Sequence, residues 1–220
     1  MFGYTPFRYR NLTWRTQPYG SSLLSPPILT AELENLPCSF KHTLALFYYR
    51  WESGFDQYTV SPWWHIIKDA SSGYELSSYR PKTRNQIRRG LRNYIVRPSD
   101  VDEVLSAYSV YRTVYRSYDS LNKEVTYEAF SSALKSLPKS TEFYIIKDST
   151  THEIVGFSEN YVEASTCFIN SIWILPKALT MYANYALLYT LINSYLGQRS
   201  FLYVSDGARS ICHDTTIQHF

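Results

Sequence analysis

Hydrophobic positions follow two different spacings along this chain. From Tyr94 onward, short alternating, β-branched or aromatic runs read as strands at Tyr94–Arg97, Glu142–Lys147, Glu153–Val162, Cys167–Leu175 and Ser200–Ser205. Between them the spacing opens to three and four. Val101, Val104, Leu105, Tyr108, Tyr111 and Tyr115 predict one helix to about Ser117, opened by a Ser99/Asp102 capping box. A second helix is expected over Thr126–Leu137, stopped by Pro138, and a third from about Met181 to Leu196, ended by Gly197. The residues from about Arg209 to Phe220 open one more. Residues 94 to 205 are thus expected to form one mixed sheet flanked by helices, with Tyr108, Ile145, Phe157, Ile172 and Leu188 buried.

Before Tyr94 the pattern is weaker. Residues 1 to about 40 are rich in Pro, Ser, Thr and Tyr without a sustained period, which suggests an arm. Thr43–Trp51 and Pro62–Lys68 are β-rich runs expected to pair as a hairpin. Thr83 then caps a short helix running past Arg89. On it Ile87 and Leu91 make an apolar side, and Arg84, Arg88 and Arg92 make a separate basic stripe. The division that follows is an arm, hairpin and basic helix at 1–93, packed on a domain at 94–220.

Composition narrows the class. With 220 residues, 45% hydrophobic and 19% charged, the chain can bury a core without staples and is no disordered polyelectrolyte. Cys38, Cys167 and Cys212 lie far apart, so neither a disulfide framework nor a C-x-x-C metal or redox centre is expected. The histidines show no ligand spacing, and no metal is expected. The uncharged run Ala178–Gln198 is long enough to span a bilayer, but its Thr, Asn, Ser and Gln residues favour a buried soluble helix. Nothing near Met1 has the apolar core of a signal peptide, so the expected location is cytoplasmic. Net charge is only +3, yet Arg80, Lys82, Arg84, Arg88, Arg89, Arg92 and Arg97 follow one another with no carboxylate among them. That is a local field able to hold phosphates.

Two places carry acid–base chemistry. Glu159 lies on a strand whose alternation puts Val155 and Phe157 on its face, a setting that raises a carboxylate's pKa and suits a general base. Asp206, Arg209 and His213 follow the last strand, where active-site groups of such sheets gather. No G-x-S-x-G elbow, P-loop, dinucleotide fingerprint or H-E-x-x-H occurs.

The order strand, helix, helix, three strands, helix, strand resembles the GNAT superfamily of acyl-CoA-dependent acyltransferases. Ile174-Leu175-Pro176 resembles the V-x-P that ends that family's fourth strand, and Tyr185-Ala186-Leu187-Leu188 resembles its following helix. The resemblance implies an α+β fold with a mixed, mostly antiparallel twisted sheet. It also implies an acyl donor held by Ile174, Leu175, Lys177, Tyr182, Ala183 and Asn184, with amides near Leu175 polarising the carbonyl. Where the family has Arg/Gln-x-x-Gly-x-Gly/Ala, this chain reads Leu179-Thr180-Met181-Tyr182-Ala183-Asn184, and both glycine places are filled. Weak or no acetyl-CoA binding is therefore expected.

Lys82-Thr83-Arg84-Asn85-Gln86-Ile87-Arg88-Arg89 resembles the basic stretch of the Fem-type relatives, which lack that glycine loop and aminoacylate peptidoglycan precursors from aminoacyl-tRNA. This implies an acyl-CoA or aminoacyl-tRNA donor and an amine acceptor, either a small molecule or a cell-wall precursor. Glu159, His213 or Asp206 would serve as proton acceptor, and Arg84, Arg88, Arg92 and Arg209 would hold anions. The alternative is a catalytically inactive module of this fold that binds RNA or an anionic glycan. The family's order calls for two more strands after the helix near Ser210, so the chain is expected to be a fragment whose Ser200–Ser205 strand is a bare edge.

Overall fold

The amino-terminal stretch lacks a sustained period, yet it contributes strands. The computed structural model describes residues 6–9, 12–17, 20–23, 48–50, 65–117 and 124–208. β1 (Pro6–Tyr9), β2 (Leu12–Gln17) and β3 (Gly20–Leu23) are antiparallel, and β4 (Tyr48–Arg50) adds in parallel to β3. Trp14, opposite Phe7 and Leu23, is fully buried. The expected hairpin does not form, because the second run, β5 (His65–Asp69), pairs elsewhere.

β5 belongs to the main sheet. That sheet also holds β6 (Tyr94–Ser99), β7 (Thr141–Asp148), β8 (Ile154–Glu163), β9 (Thr166–Ile174) and β10 (Tyr203–Ala208), in the order β5-β10-β9-β8-β7-β6. The β9–β10 pair is parallel and the others antiparallel. The expected bare edge is therefore wrong: β10 has β9 on one side and β5 on the other. A segment from the amino-terminal side takes the place expected of later strands.

Helices cover both faces. α1 (Pro81–Asn93) begins before Thr83, with Pro81 at N1, where its missing N–H costs nothing. Its buried positions are Ile87 and Gly90, whereas Leu91 is 40% exposed. The single helix expected after Ser99 is two, α2 (Val101–Ser106) and α3 (Tyr108–Ser117). At the break the Ser106 hydroxyl donates to the Glu103 carbonyl at 2.6 Å and competes for it with the helix. The cap is Asp100, which accepts from the Glu103 N–H at 2.8 Å, while Ser99 Oγ donates to the Glu103 carboxylate. α4 (Tyr127–Lys135) is capped by Thr126. After β9 the chain makes α5 (Pro176–Thr180) and α6 (Ala183–Ile192), and a π-helical turn, Asn193–Gln198, extends α6.

β-strand alternation feeds two cores. On one face Tyr144, Ile146, Cys167, Ile174 and Val204 pack with Leu187, Leu191 and Tyr195 of α6 and its π turn. On the other, Phe143, Phe157 and Trp173 pack with Val104, Val110, Tyr111, Phe130 and Leu134 of α2–α4. Ile145, Phe157 and Leu188 are buried as expected, while Tyr108 and Ile172 are half-buried at the margins. No helix among the described residues is long and apolar enough to cross a membrane.

Candidate active site

Among the described strands of the main sheet one pairing is parallel, and it is short. β9 and β10 pair at Thr166↔Tyr203, Cys167↔Val204 and Phe168↔Ser205, and then part. Each strand has its own reason. On β9, Ser171 faces Glu159 and Ile169 faces Asn160, so Asn170 is an extra residue, a β-bulge. On β10 the register with β5 shifts between Ser205 and Ala208, across Asp206 and Gly207. Gly207 has φ +80°, a conformation that suits glycine, and its N–H donates to Ser205 Oγ at 3.1 Å.

Asp206 therefore sits where the strands separate. It is half-buried, and loss of hydration lifts its carboxyl to about 6. A carboxyl group titrating there can accept a proton near neutral pH. His213 and Arg209, expected to join it, lie outside the described residues.

Glu159 stands on the other side of β9 and is buried. Phe157 shares its face as expected, but Val155 does not, because a register shift in β8 sends it to the opposite core. Asn170 Nδ2 donates to Glu159 Oε1, Ser171 Oγ approaches Oε2 at 3.4 Å, and Trp173 Nε1 donates to Ser171 Oγ at 3.2 Å. The carboxylate thus ties down the bulge. Asn170 and Ser171, which in the sequence offer the strand no carboxylate, hold this bulge to Glu159. The signal for this was an acid on one strand with two short polar residues on its neighbour.

The donor side departs from expectation in two ways. The Leu175 N–H already donates to the Val155 carbonyl at 2.9 Å, so it does not polarise a substrate. The segment read as a glycine-free loop is α5 and a tight turn, with Ile174 buried and Lys177 exposed. Tyr182, in a glycine place, takes φ +69°, so the left-handed backbone is kept with a large side chain attached. Its ring lies under the Arg89 guanidinium at 4.8 Å and edge-on to Tyr185. Ala183 is fully buried and Asn184 half-buried. These residues do not fit the pyrophosphate of coenzyme A, which needs bare backbone there.

α1 lies across this end. A Cβ on Gly90 would overlap the Tyr182 carbonyl oxygen and stand 3.1 Å from the Ala186 nitrogen, so only glycine lets the helices meet. Asn93 Nδ2 donates to the Met181 carbonyl at 3.4 Å. Arg84 is half-buried with Nη1 toward the Ser77 carbonyl at 3.4 Å, whereas Arg88 and Arg92 are exposed. Arg89, which the four-residue stripe leaves out, is the arginine that reaches the start of α6. Its mark in the sequence was the Arg88-Arg89 pair.

A cavity of about 380 Å³ lies at the β6–β7 edge, with β8 and β9 between it and β10. Its charged groups satisfy each other: Arg199 binds both Glu142 oxygens at 2.6 and 3.0 Å, and Tyr195 donates to the same carboxylate at 2.9 Å. Cys167 is fully buried and its thiol is pushed far up by desolvation. No group of acids, histidines and cysteines suited to a metal occurs among the described residues.

No protein-family model matches the sequence, and no curated protein matches it. Solved structures do match. The crystal structure of FemX superposes with a TM-score of 0.60 at 11% identity, covering 97% of this chain and 82% of that one. L-PGS from Bacillus licheniformis gives a TM-score of 0.55 at 12% identity, covering 97% and 74%. At such identities the likeness is one of fold, and the fold is the GNAT-like mixed sheet with a Fem-type resemblance.

Proposed function

We propose that the chain transfers an acyl group, an aminoacyl group in preference to acetyl, to an amine acceptor in the cleft between β9 and β10. The observation that carries this reading is Asp206, a half-buried carboxyl titrating at about 6 where the two strands part. The amine attacks the donor carbonyl. Asp206 takes a proton from the attacking nitrogen as the new C–N bond forms, and returns it to the donor oxygen or sulfur as the acyl–oxygen or acyl–sulfur bond breaks. Glu159 positions the β9 wall through Asn170 and Ser171. Tyr182 argues against acetyl-CoA and for a donor such as aminoacyl-tRNA. The acceptor is a small amine or a cell-wall precursor, and the cationic face of α1 serves an anionic partner.

Thermal-shift measurements with acetyl-CoA, longer acyl-CoAs and aminoacyl-tRNA test the reading. A shift with aminoacyl-tRNA, and transfer abolished in Asp206→Asn, is the expected result. Acetyl-CoA binding with a Kd below roughly 10 μM, about −6.8 kcal/mol, would overturn the donor preference. The filled glycine places also support a second reading, a module that binds RNA or an anionic glycan without chemistry. It predicts binding that survives Asp206→Asn with no transfer by either protein.

A further inference from the structure

The outer face of α1 and the α5–α6 junction form a surface whose anionic partner acyl transfer does not specify. Lys82, Arg84, Arg88, Arg89 and Arg92 stand on one helix of 13 residues with no acid. Every ion pair among the described residues lies elsewhere, at Glu103, Glu124 and Glu142. The nearest turn, at Asp148, brings one carboxylate close to the end of α1, where Ser149 Oγ bonds the Arg92 carbonyl. Asp148 spends its Oδ1 on the Thr150 and Thr151 amides at 2.8 and 3.0 Å. Asp148 stays ionised and acts on Lys177 of α5, while no arginine of α1 has an ion-pair partner among the described residues.

Large apolar side chains stand out from this surface. Leu91 is 40% exposed, one helical turn beyond Arg88 and beside Arg92. Leu179 and Met181, each 42% exposed, flank α1 from the junction that Asn93 and Gly90 hold against it. Lys177 is exposed on the same short helix, α5. Unpaired arginines with protruding aliphatic residues at their flanks suit a plane that is anionic at its surface and apolar beneath. Nucleic acid would be served better by exposed aromatic rings, and the tyrosines at this junction are half-buried, Tyr182 under Arg89 and edge-on to Tyr185.

We infer that this face docks the protein on an anionic phospholipid surface, with Arg88 and Arg92 on the headgroups and Leu91, Leu179 and Met181 dipping below them. The inference rests on α1 as an anion-binding face and not on acyl transfer. A failure of one therefore leaves the other standing.

Co-sedimentation of the full chain with phosphatidylcholine vesicles, with and without phosphatidylglycerol, tests it. Binding only to the phosphatidylglycerol vesicles, falling with salt, is expected. Arg88→Glu with Arg92→Glu should weaken it by at least about fivefold per charge removed, and Arg88→Lys with Arg92→Lys should retain most of it. Leu91→Ser with Met181→Ser should weaken binding without changing its salt slope. Unfolding curves for each variant show that the fold is kept. Equal binding to both vesicle types, binding to neither, or indifference to the Arg→Glu pair would overturn the proposal. So would tRNA binding that displaces vesicles and ignores the Leu91 and Met181 changes, which would make the face a nucleic-acid site.

Discussion

Asp206 shows how one side chain links stability and chemistry. Burial lifts its carboxyl from the ordinary 3.8 to about 6, so the folded chain keeps a proton that the unfolded chain has released by then. Ionising the group in place removes stability as pH rises from about 4 to about 6, and the whole cost, at most about 3 kcal/mol, stands above that range. Asp206→Asn should therefore unfold at higher urea than the parent at pH 8 and at about the same urea at pH 4. Transfer should behave in the opposite sense. The base is the ionised form, so the parent's rate climbs through about pH 6 and then levels, and the Asn variant lacks that limb. A variant no more stable at pH 8 than at pH 4, relative to the parent, would mean the carboxyl is not desolvated.

At the level of elements, the packing of α1 on α6 depends on one missing methyl group. Alanine is the better helix former by about 1 kcal/mol, but at Gly90 its Cβ would meet backbone, the Tyr182 carbonyl and the Ala186 nitrogen, which cannot swing aside. Gly90→Ala should therefore destabilise by about 2 kcal/mol net, seen as a lower urea midpoint. An unchanged or higher midpoint would mean that the helices are not seated as described. The sequence showed α1 and its charges because a stripe repeats every four residues. It hid the inward side, since Leu91 fits the apolar period as well as Gly90 and only the close approach of α6 chooses between them. The break between α2 and α3 escaped for a similar reason. Tyr108, Tyr111 and Tyr115 continue the helical spacing across Ala107, and the competing Ser106 hydroxyl leaves no trace in a hydrophobic pattern.

For the whole molecule, the legible part is the run from β6 to β10, where each strand alternates in its own sequence and neighbours in the chain are neighbours in the sheet. What no local pattern carries is a partner brought from far away. β10 looked like an open edge because β5, over a hundred residues earlier in the chain, reads as a short apolar run with no stated destination. The same limit hid the parting of β9 and β10, where an irregularity on each strand follows their last paired residues. Since the Ala70 N–H donates to Leu202, alternation turns the Lys68 N–H toward Val204 of β10. Lys68→Pro removes that donor and leaves the carbonyl of buried Val204 without its partner, a loss of roughly 2 kcal/mol. The uncovered β10 edge, with Leu202 already exposed beside it, should then promote association between molecules. Lys68→Ala keeps the ladder N–H and gives up only the ammonium over the Tyr79 ring, so it should cost much less and stay soluble. Urea midpoints with light scattering separate the two variants. If proline and alanine behave alike, β5 is not the strand that closes the sheet.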